Sequence, residues 1–220
     1  MAVAYDNSGE TRILTPDTSI SFNLTIGSGS NRAIVVALCF DSNAVSGVSV
    51  TVGGVSASLV SGTDSGTDTN ARTMLFGLAN PASGSQSISA SWTTSTNAIM
   101  GAISVTGADQ TTPLNNGSVA FDPVPAIAPT ITITSNSGDL TIAHYADDNT
   151  AASGGTQTVR WTDNTFNRSA SASTGPGTGT TTHEWTKDSG WSISGANFKA
   201  AAAGGSTSTG MGLLTVGIGR

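Results

Sequence analysis

Apolar and polar residues alternate with a period of two along much of this chain, and the 3.6-residue period of an amphipathic helix is nearly absent. Ile20, Phe22, Leu24 and Ile26 alternate with Ser21, Asn23 and Thr25, which predicts a strand buried on one face. After the turn residues 27–31, Ala33 to Phe40 is almost continuously apolar, the pattern of a central strand covered on both faces. Val48, Val50 and Val52 alternate with Ser49 and Thr51, and Gly53-Gly54 leads into residues 55–60, a hairpin signature. Further strands are predicted at 72–79, around Ile88–Trp92, at 98–105, at Ile131/Ile133 and Leu140/Ile142, and around 156–162, 180–187 and 191–199. The fold class expected is all-β: one large jelly-roll-like antiparallel β-sandwich.

Pro123, Pro125 and Pro129 mark residues 121–129 as an extended connection. Neither half shows a closing strand set of its own, so one domain over residues 1–203 is preferred to two domains joined there, and no internal repeat is evident. Stretches rich in Gly and Ser at 146–155 and 169–180 read as loops at strand ends, where binding surfaces form. Residues 204–220 open with a Gly/Ser/Thr linker and end in a strand-like tail, in which Leu213 and Leu214, Val216 and Ile218 are the apolar positions. Such a segment either pairs with a neighbour's exposed strand edge or folds back on its own sheet.

Composition narrows the function. Charged residues are 10% of the 220 and the net charge is −6, so the basic footprint of a nucleic-acid binder is missing. No apolar run approaches the roughly 18 residues that span a bilayer as a helix, so no membrane insertion is expected. The one cysteine, Cys39, sits in an apolar run and reads as a small buried hydrophobe. Met1 leads straight into strand-like residues 2–5 without a basic and then apolar signal segment, although the Ser/Thr/Gly-rich remainder has an extracellular character. Release by host lysis, as for a virus particle, reconciles the two.

Several turn motifs then fall in a familiar order. They are Val3-Ala4-Tyr5-Asp6, Ser30-Asn31-Arg32 before Ala33–Leu38, Val52-Gly53-Gly54-Val55, Leu78-Ala79-Asn80-Pro81, residues 105–114, Ser137-Gly138-Asp139-Leu140 and the closing strand at 191–199. Over nearly all of residues 1–203 the chain resembles a family of jelly-roll-like β-sandwich modules of bacterial surface proteins and phage structural proteins. The resemblance implies a fold and an accessory, non-catalytic role, and it carries no catalytic residue.

Candidate chemistry is sparse. His144 is in phase with Leu140 and Ile142 and points to the core, while His183 and Glu184 fall on opposite faces of one strand. Neither builds a metal site of three or four converging ligands. There is no Gly-x-Ser-x-Gly elbow, and with Glu only at 10 and 184 a paired-carboxylate site is a poor fit. Calcium is the one cofactor considered, with Asp64 and Asp68 in one loop and Asp147 and Asp148 in another as weak candidate ligands beside a reading as solvated turn acids. Trp161 and Trp191 share phase with Val159 and Ile193 and read as core; Trp185, flanked by polar residues, is the candidate surface contact for a glycan.

The function expected is therefore non-enzymatic: a virion structural protein, a phage capsid decoration or fibre/spike component, assembling with itself or other virion proteins as a homo-oligomer. The alternative is an extracellular carbohydrate-binding or adhesion module that takes a surface glycan.

Overall fold

Among the described residues of a computed structural model of the chain, each regular element is a β-strand and every strand pairing is antiparallel. The structure describes residues 1–41, 44–66, 71–123, 128–147, 153–154, 157–164, 168–186 and 190–202. Two strands of 23 residues, β1 (Ala4–Ile26) and β6 (Gly84–Thr106), run along each other as one long ribbon. Between them in sequence come β2 (Ala33–Phe40), β3 (Ser49–Val52), β4 (Val55–Leu59) and β5 (Arg72–Ala79). They form a closed ring of five strands, β6-β2-β5-β4-β3 and back to β6. Five antiparallel pairs close a ring only if one strand takes part twice with opposite senses. β6 does so: residues 98–105 pair with β2, and residues 88–91 pair with β3. β1 follows it, with its register broken between Ile13, Asp17 and Ser19.

The ribbon therefore folds over one end of the barrel and brings the two halves of β1 side by side. The Asn7 amide donates to the Thr25 carbonyl at 2.8 Å, and the Gly27 N–H donates to the Asp6 carboxylate at 2.8 Å. A Cβ on Gly9 would lie 3.2 Å from the Phe22 ring. Ile34, Val36, Leu38 and Phe40 of β2 point into the barrel with Met74, Phe76, Ile88 and Met100, while Val35, Ala37 and Cys39 point out of it into a second core. This double burial is why residues 33–40 read as continuously apolar. Gly53 and Gly54 take φ of 57° and 79° and turn β3 into β4, as their freedom from a Cβ allows.

The rest of the chain supplies β7 (Leu114–Asp122), β8 (Thr130–Thr134), β9 (Leu140–Asp147), β10 (Ser153–Gly154), β11 (Thr158–Asp163), β12 (Ser169–Pro176), β13 (Thr180–Thr186) and β14 (Trp191–Phe198). They make a five-stranded sheet, β11-β12-β9-β14-β7, and a three-stranded sheet, β10-β13-β8. Ile131, Ile133, Tyr145, Trp185, Trp191 and Ile193 fill the space between these two sheets. The opposite face of the five-stranded sheet packs Ile142, Ala146, Ala170, Ala172, Ala196 and Phe198 on the outer wall of the barrel. Three apolar layers thus lie inside the barrel, between barrel and sheet, and between the two sheets.

A repeat invisible in the sequence emerges from the strand order. Counting each half of β1 and of β6 separately, the first half of the chain has eight segments, and their order around the barrel is 1-8-3-6-5-4-7-2. Numbering β7 to β14 in the same way, the second half reads 1-8-3-6-5 in one sheet and 4-7-2 in the other, the same circuit interrupted once. The clasp between segments 1 and 2 also recurs: Asn116 donates its side-chain amide to the Thr134 carbonyl at 2.9 Å, as Asn7 does to Thr25.

Two readings of the sequence are corrected here. Residues 169–176 are not a Gly/Ser-rich loop but a central strand, whose Ala170 and Ala172 face the barrel while Ser169, Ser171 and Ser173 face the outer sheet. Phe121 and Asp122, read from the sequence as the start of the Pro-rich connection, are instead the end of strand β7, while residues 124–127 of that connection lie outside the described residues. Both termini of the described chain meet at one end: the Met1 ammonium donates to the Ala201 carbonyl at 3.2 Å, and Ala108 bridges Ala200.

Candidate functional site

The sheet that reads as Ser-rich positions a buried polar seam. On β12, Ser169, Ser171 and Ser173 recur every second residue and face β13 across the outer core. Ser173 Oγ lies 2.7 Å from His183 Nδ1, and Thr141 Oγ1 lies 2.9 Å from His183 Nε2. Trp185 donates its indole N–H to Ser171 Oγ at 3.0 Å. Tyr145 and Ser169 donate hydroxyls to the two oxygens of Asp147, at 2.6 and 2.9 Å.

The Ser173–His183 contact has the spacing of a nucleophile and its base, but both side chains are fully buried. Burial pushes the His183 ring down to about 4, so the neutral ring is retained, and its second nitrogen meets a threonine rather than an orienting carboxylate. This is a hydrogen-bonded core contact closed to substrate. His144 is the more exposed to penalty: burial lowers it to about 4, and neither ring nitrogen reaches hydrogen-bond geometry, although the carbonyls of Leu38 and Ser171 favour its protonated form. Its ring packs on Trp161, 5.4 Å between centroids.

Trp185 is not a surface platform. It is 2% exposed and stacks on Tyr145 with centroids 5.2 Å apart and planes 14° from parallel. The polar residues that flank it, Glu184 and Thr186, point to the opposite face of β13, so their polarity says nothing about the tryptophan's own side. Trp185→Ala is expected to lower the unfolding free energy by about 3–5 kcal/mol, the cost of a buried aromatic cavity, and this would be read as a shifted urea midpoint. A shift below about 1 kcal/mol would contradict its place in the core.

The calcium candidates do not converge in the described residues. Asp64 is held by Arg72 through two hydrogen bonds of 2.9 and 2.6 Å and accepts the Gly66 N–H at 2.9 Å. The Arg72 guanidinium holds its carboxyl below the usual carboxylate range against the opposing effect of burial. A cation would have to displace that arginine. Asp147 is buried and taken by Tyr145 and Ser169, while Asp68, Asp148 and the tail residues Leu213, Leu214, Val216 and Ile218 lie outside the described residues. Among the described residues no three His, Cys, Asp or Glu side chains cluster as a metal would need.

Among the described residues an open cleft lies elsewhere, where the two halves of β1 part. Near the termini the seam is closed by the Asn7–Thr25 clasp; toward the other end it widens into a cleft of about 460 Å³. Thr11 to Ile13 form one rim and Ser19 to Ser21 the other, and the hydroxyls of Ser49, Thr51, Ser89 and Ser91 extend the lining over the outer face of β6 and β3. The only charged group in the lining is Arg12, which is ion-paired with Asp163 of β11. Ser49 and Ser91 sit opposite each other and share a hydrogen bond of 2.9 Å. The alternation of Ser19 and Ser21 with Ile20 signalled the exposed face of this strand, but not that the strand edge beside it would be free.

No family model matches the chain, and neither a curated protein nor a solved structure is significantly similar to it.

Proposed function

We propose that the protein is a structural component of a virus particle, a capsid decoration protein or part of a fibre or spike, which acts by assembling with copies of itself or with other particle proteins. The observation that carries this reading is the doubled strand order. The circuit 1-8-3-6-5-4-7-2 is that of a ribbon of paired strands rolled on itself, and we read each half as a jelly-roll sandwich, an architecture used for viral shell and lectin domains. The two halves share one apolar layer, which supports reading residues 1–203 as one domain, and the apolar tail at 204–220 would supply an attachment strand. Such a protein works in the particle, outside the cell after lysis.

The test is the oligomeric state of the full-length protein against a chain lacking residues 204–220, by light scattering after size exclusion. The full chain is expected to form a discrete ring or a filament and the truncated chain a folded monomer. Normal assembly of the truncated chain would remove the tail from the mechanism.

A carbohydrate-binding or adhesion role is the second reading, and the neutral hydroxyl lining of the cleft favours it. It predicts binding on a glycan array that Ser89→Trp, which fills the cleft, suppresses. Failure to bind any glycan would sink it.

A further inference from the structure

The cleft lies on an unpaired strand edge, and the direction of that edge follows from three contacts. Residues of a strand send their N–H and C=O alternately to its two sides. The Gly53 N–H takes the Ser87 carbonyl at 2.8 Å, so Ser87, Ser89 and Ser91 address β3, while Gln86, Ile88 and Ala90 address β1. The partners of those last three, Leu24, Phe22 and Ile20, therefore use their backbone groups toward β6. The backbone of Ser19, Ser21, Asn23 and Thr25 points away from the sheet, as the Asn7 side chain at the Thr25 carbonyl also requires. Thr25 is the residue the clasp satisfies. Among the described residues no backbone hydrogen bond is made on the outward side of Ser19, Ser21 or Asn23. The apolar face beside this edge is also unfinished: Ile13 and Phe22, packed on the barrel core, are only partly buried.

An edge with free N–H and C=O groups, a lining of hydroxyls on one face and incompletely covered apolar side chains on the other matches one more β-strand. The chain has one strand-like segment without a described place, Leu213 to Ile218, and its sides match the two faces. Leu214, Val216 and Ile218 fall on one side, Leu213, Thr215 and Gly217 on the other. We propose that the tail of a neighbouring copy adds as a strand to β1 at Ser19–Asn23, with Leu214, Val216 and Ile218 against Ile13 and Phe22 and with Leu213, Thr215 and Gly217 on the hydroxyl face. The proposal rests on the assembly reading above and names its docking site.

The neighbour's tail is favoured over the chain's own by where the described chain ends. Ala201 lies against Met1 at the terminal end of the seam, where the Asn7–Thr25 clasp closes it. An incoming strand reaches the cleft from its open, opposite end, which faces away from the chain's own exit. Each copy then offers one tail and one edge, a head-to-tail contact that closes into a ring or runs on as a filament.

The experiment uses the full-length protein and two proline variants. Val216→Pro lies in the tail and removes one ladder N–H there. Ser21→Pro removes an outward N–H that pairs with nothing in the isolated copy. Light scattering gives the assembly state, and amide hydrogen exchange gives the protection of Ser21 and Asn23. The wild type is expected to assemble with both amides protected; each variant is expected to be monomeric, and in Val216→Pro the two amides are expected to exchange at least about tenfold faster. Loss of assembly in Val216→Pro with unchanged exchange at Ser21 and Asn23 would place the tail elsewhere and overturn this site while leaving tail-driven assembly intact. Normal assembly of Val216→Pro would overturn tail-driven assembly itself, and the docking site with it. Protected amides in a monomeric wild type would assign the edge to the chain's own tail. If Ser21→Pro does not fold, the exchange comparison between wild type and Val216→Pro decides alone, because position 216 belongs to none of the strands that build the sandwich among the described residues.

Discussion

Acidification from about pH 7 to about pH 4.5 is expected to destabilise the fold by about 5 kcal/mol, a large part of the 5–15 kcal/mol that typically separates folded from unfolded domains. The cause is two histidines held neutral in separate cores. His144 is buried between the barrel wall and the five-stranded sheet, and His183 between the two sheets of the second half; burial lowers both to about 4. In the unfolded chain each titrates near 6.5. Between those values the unfolded state binds protons that the folded state refuses, so stability rises with pH across that window. It is complete above about pH 6.5 and falls by about 1.4 kcal/mol per pH unit for each histidine as the pH drops toward 4. The carboxylates act lower down: hydrogen bonds from Ala200, Asn136 and Asn197 outweigh the burial of Asp139 and lower its pKa, so its contribution is lost only below the ordinary carboxylate range. Urea midpoints at about pH 7.5, 6 and 4.5 measure the effect. His144→Leu, which loses no hydrogen bond, is expected to remove about half of the slope. A midpoint that stays constant from pH 7.5 to 4.5 would show that the histidines are not held neutral.

The second large effect centres on Gly101. It lies in β6 on the outer wall of the barrel, and the indole of Trp161 from β11 lies directly over it. A Cβ at Gly101 would stand 2.2 Å from Trp161 Cε2 and 2.3 Å from Cζ2. Gly101→Ala is therefore expected to force the indole off the barrel wall and to cost about 1–3 kcal/mol, although a strand normally gains from losing a glycine. Trp161→Ala is expected to cost about 3–5 kcal/mol through the cavity between the barrel and β11. Phenylalanine lacks the fused ring that the new methyl would strike, so Gly101→Ala is expected to cost much less in a Trp161→Phe background. A double-mutant cycle measures this coupling. Additive costs would mean that the contact with the indole does not set the glycine.

The residues whose surroundings are local were legible in the sequence. The continuous apolar run of β2, the Gly-Gly hairpin between β3 and β4, the buried Cys39 and the core positions of Trp161 and Trp191 all follow from alternation or from turn chemistry. Trp185 reads as a surface residue only through its sequence neighbours, and these lie on the other face of the strand. The serines of β12 resembled a loop because their partners are polar: His183, the Trp185 indole and Asp147 satisfy them inside the molecule, so a buried face carries hydroxyls. The 23-residue lengths of β1 and β6 were hidden as well, since alternation shows which face a residue takes and not which distant strand it joins. The cleft depends on that distant pairing and was invisible for the same reason.

The ribbon of β1 and β6 has a kinetic corollary. Ala4 pairs with Thr106, Ile26 with Gly84, and Met1 with Ala201, so residues made early wait for partners made as many as 200 residues later. Closing loops of that length before any contact repays them makes for slow folding, and β1 stays an unpaired, sticky strand until residues 84–106 have left the ribosome. The second half meets the same delay between β7 and β14, its own first and last strands. Synthesis at high concentration should therefore depend on chaperones or low temperature more than the final stability would suggest, because the vulnerable species is the nascent chain and not the finished body.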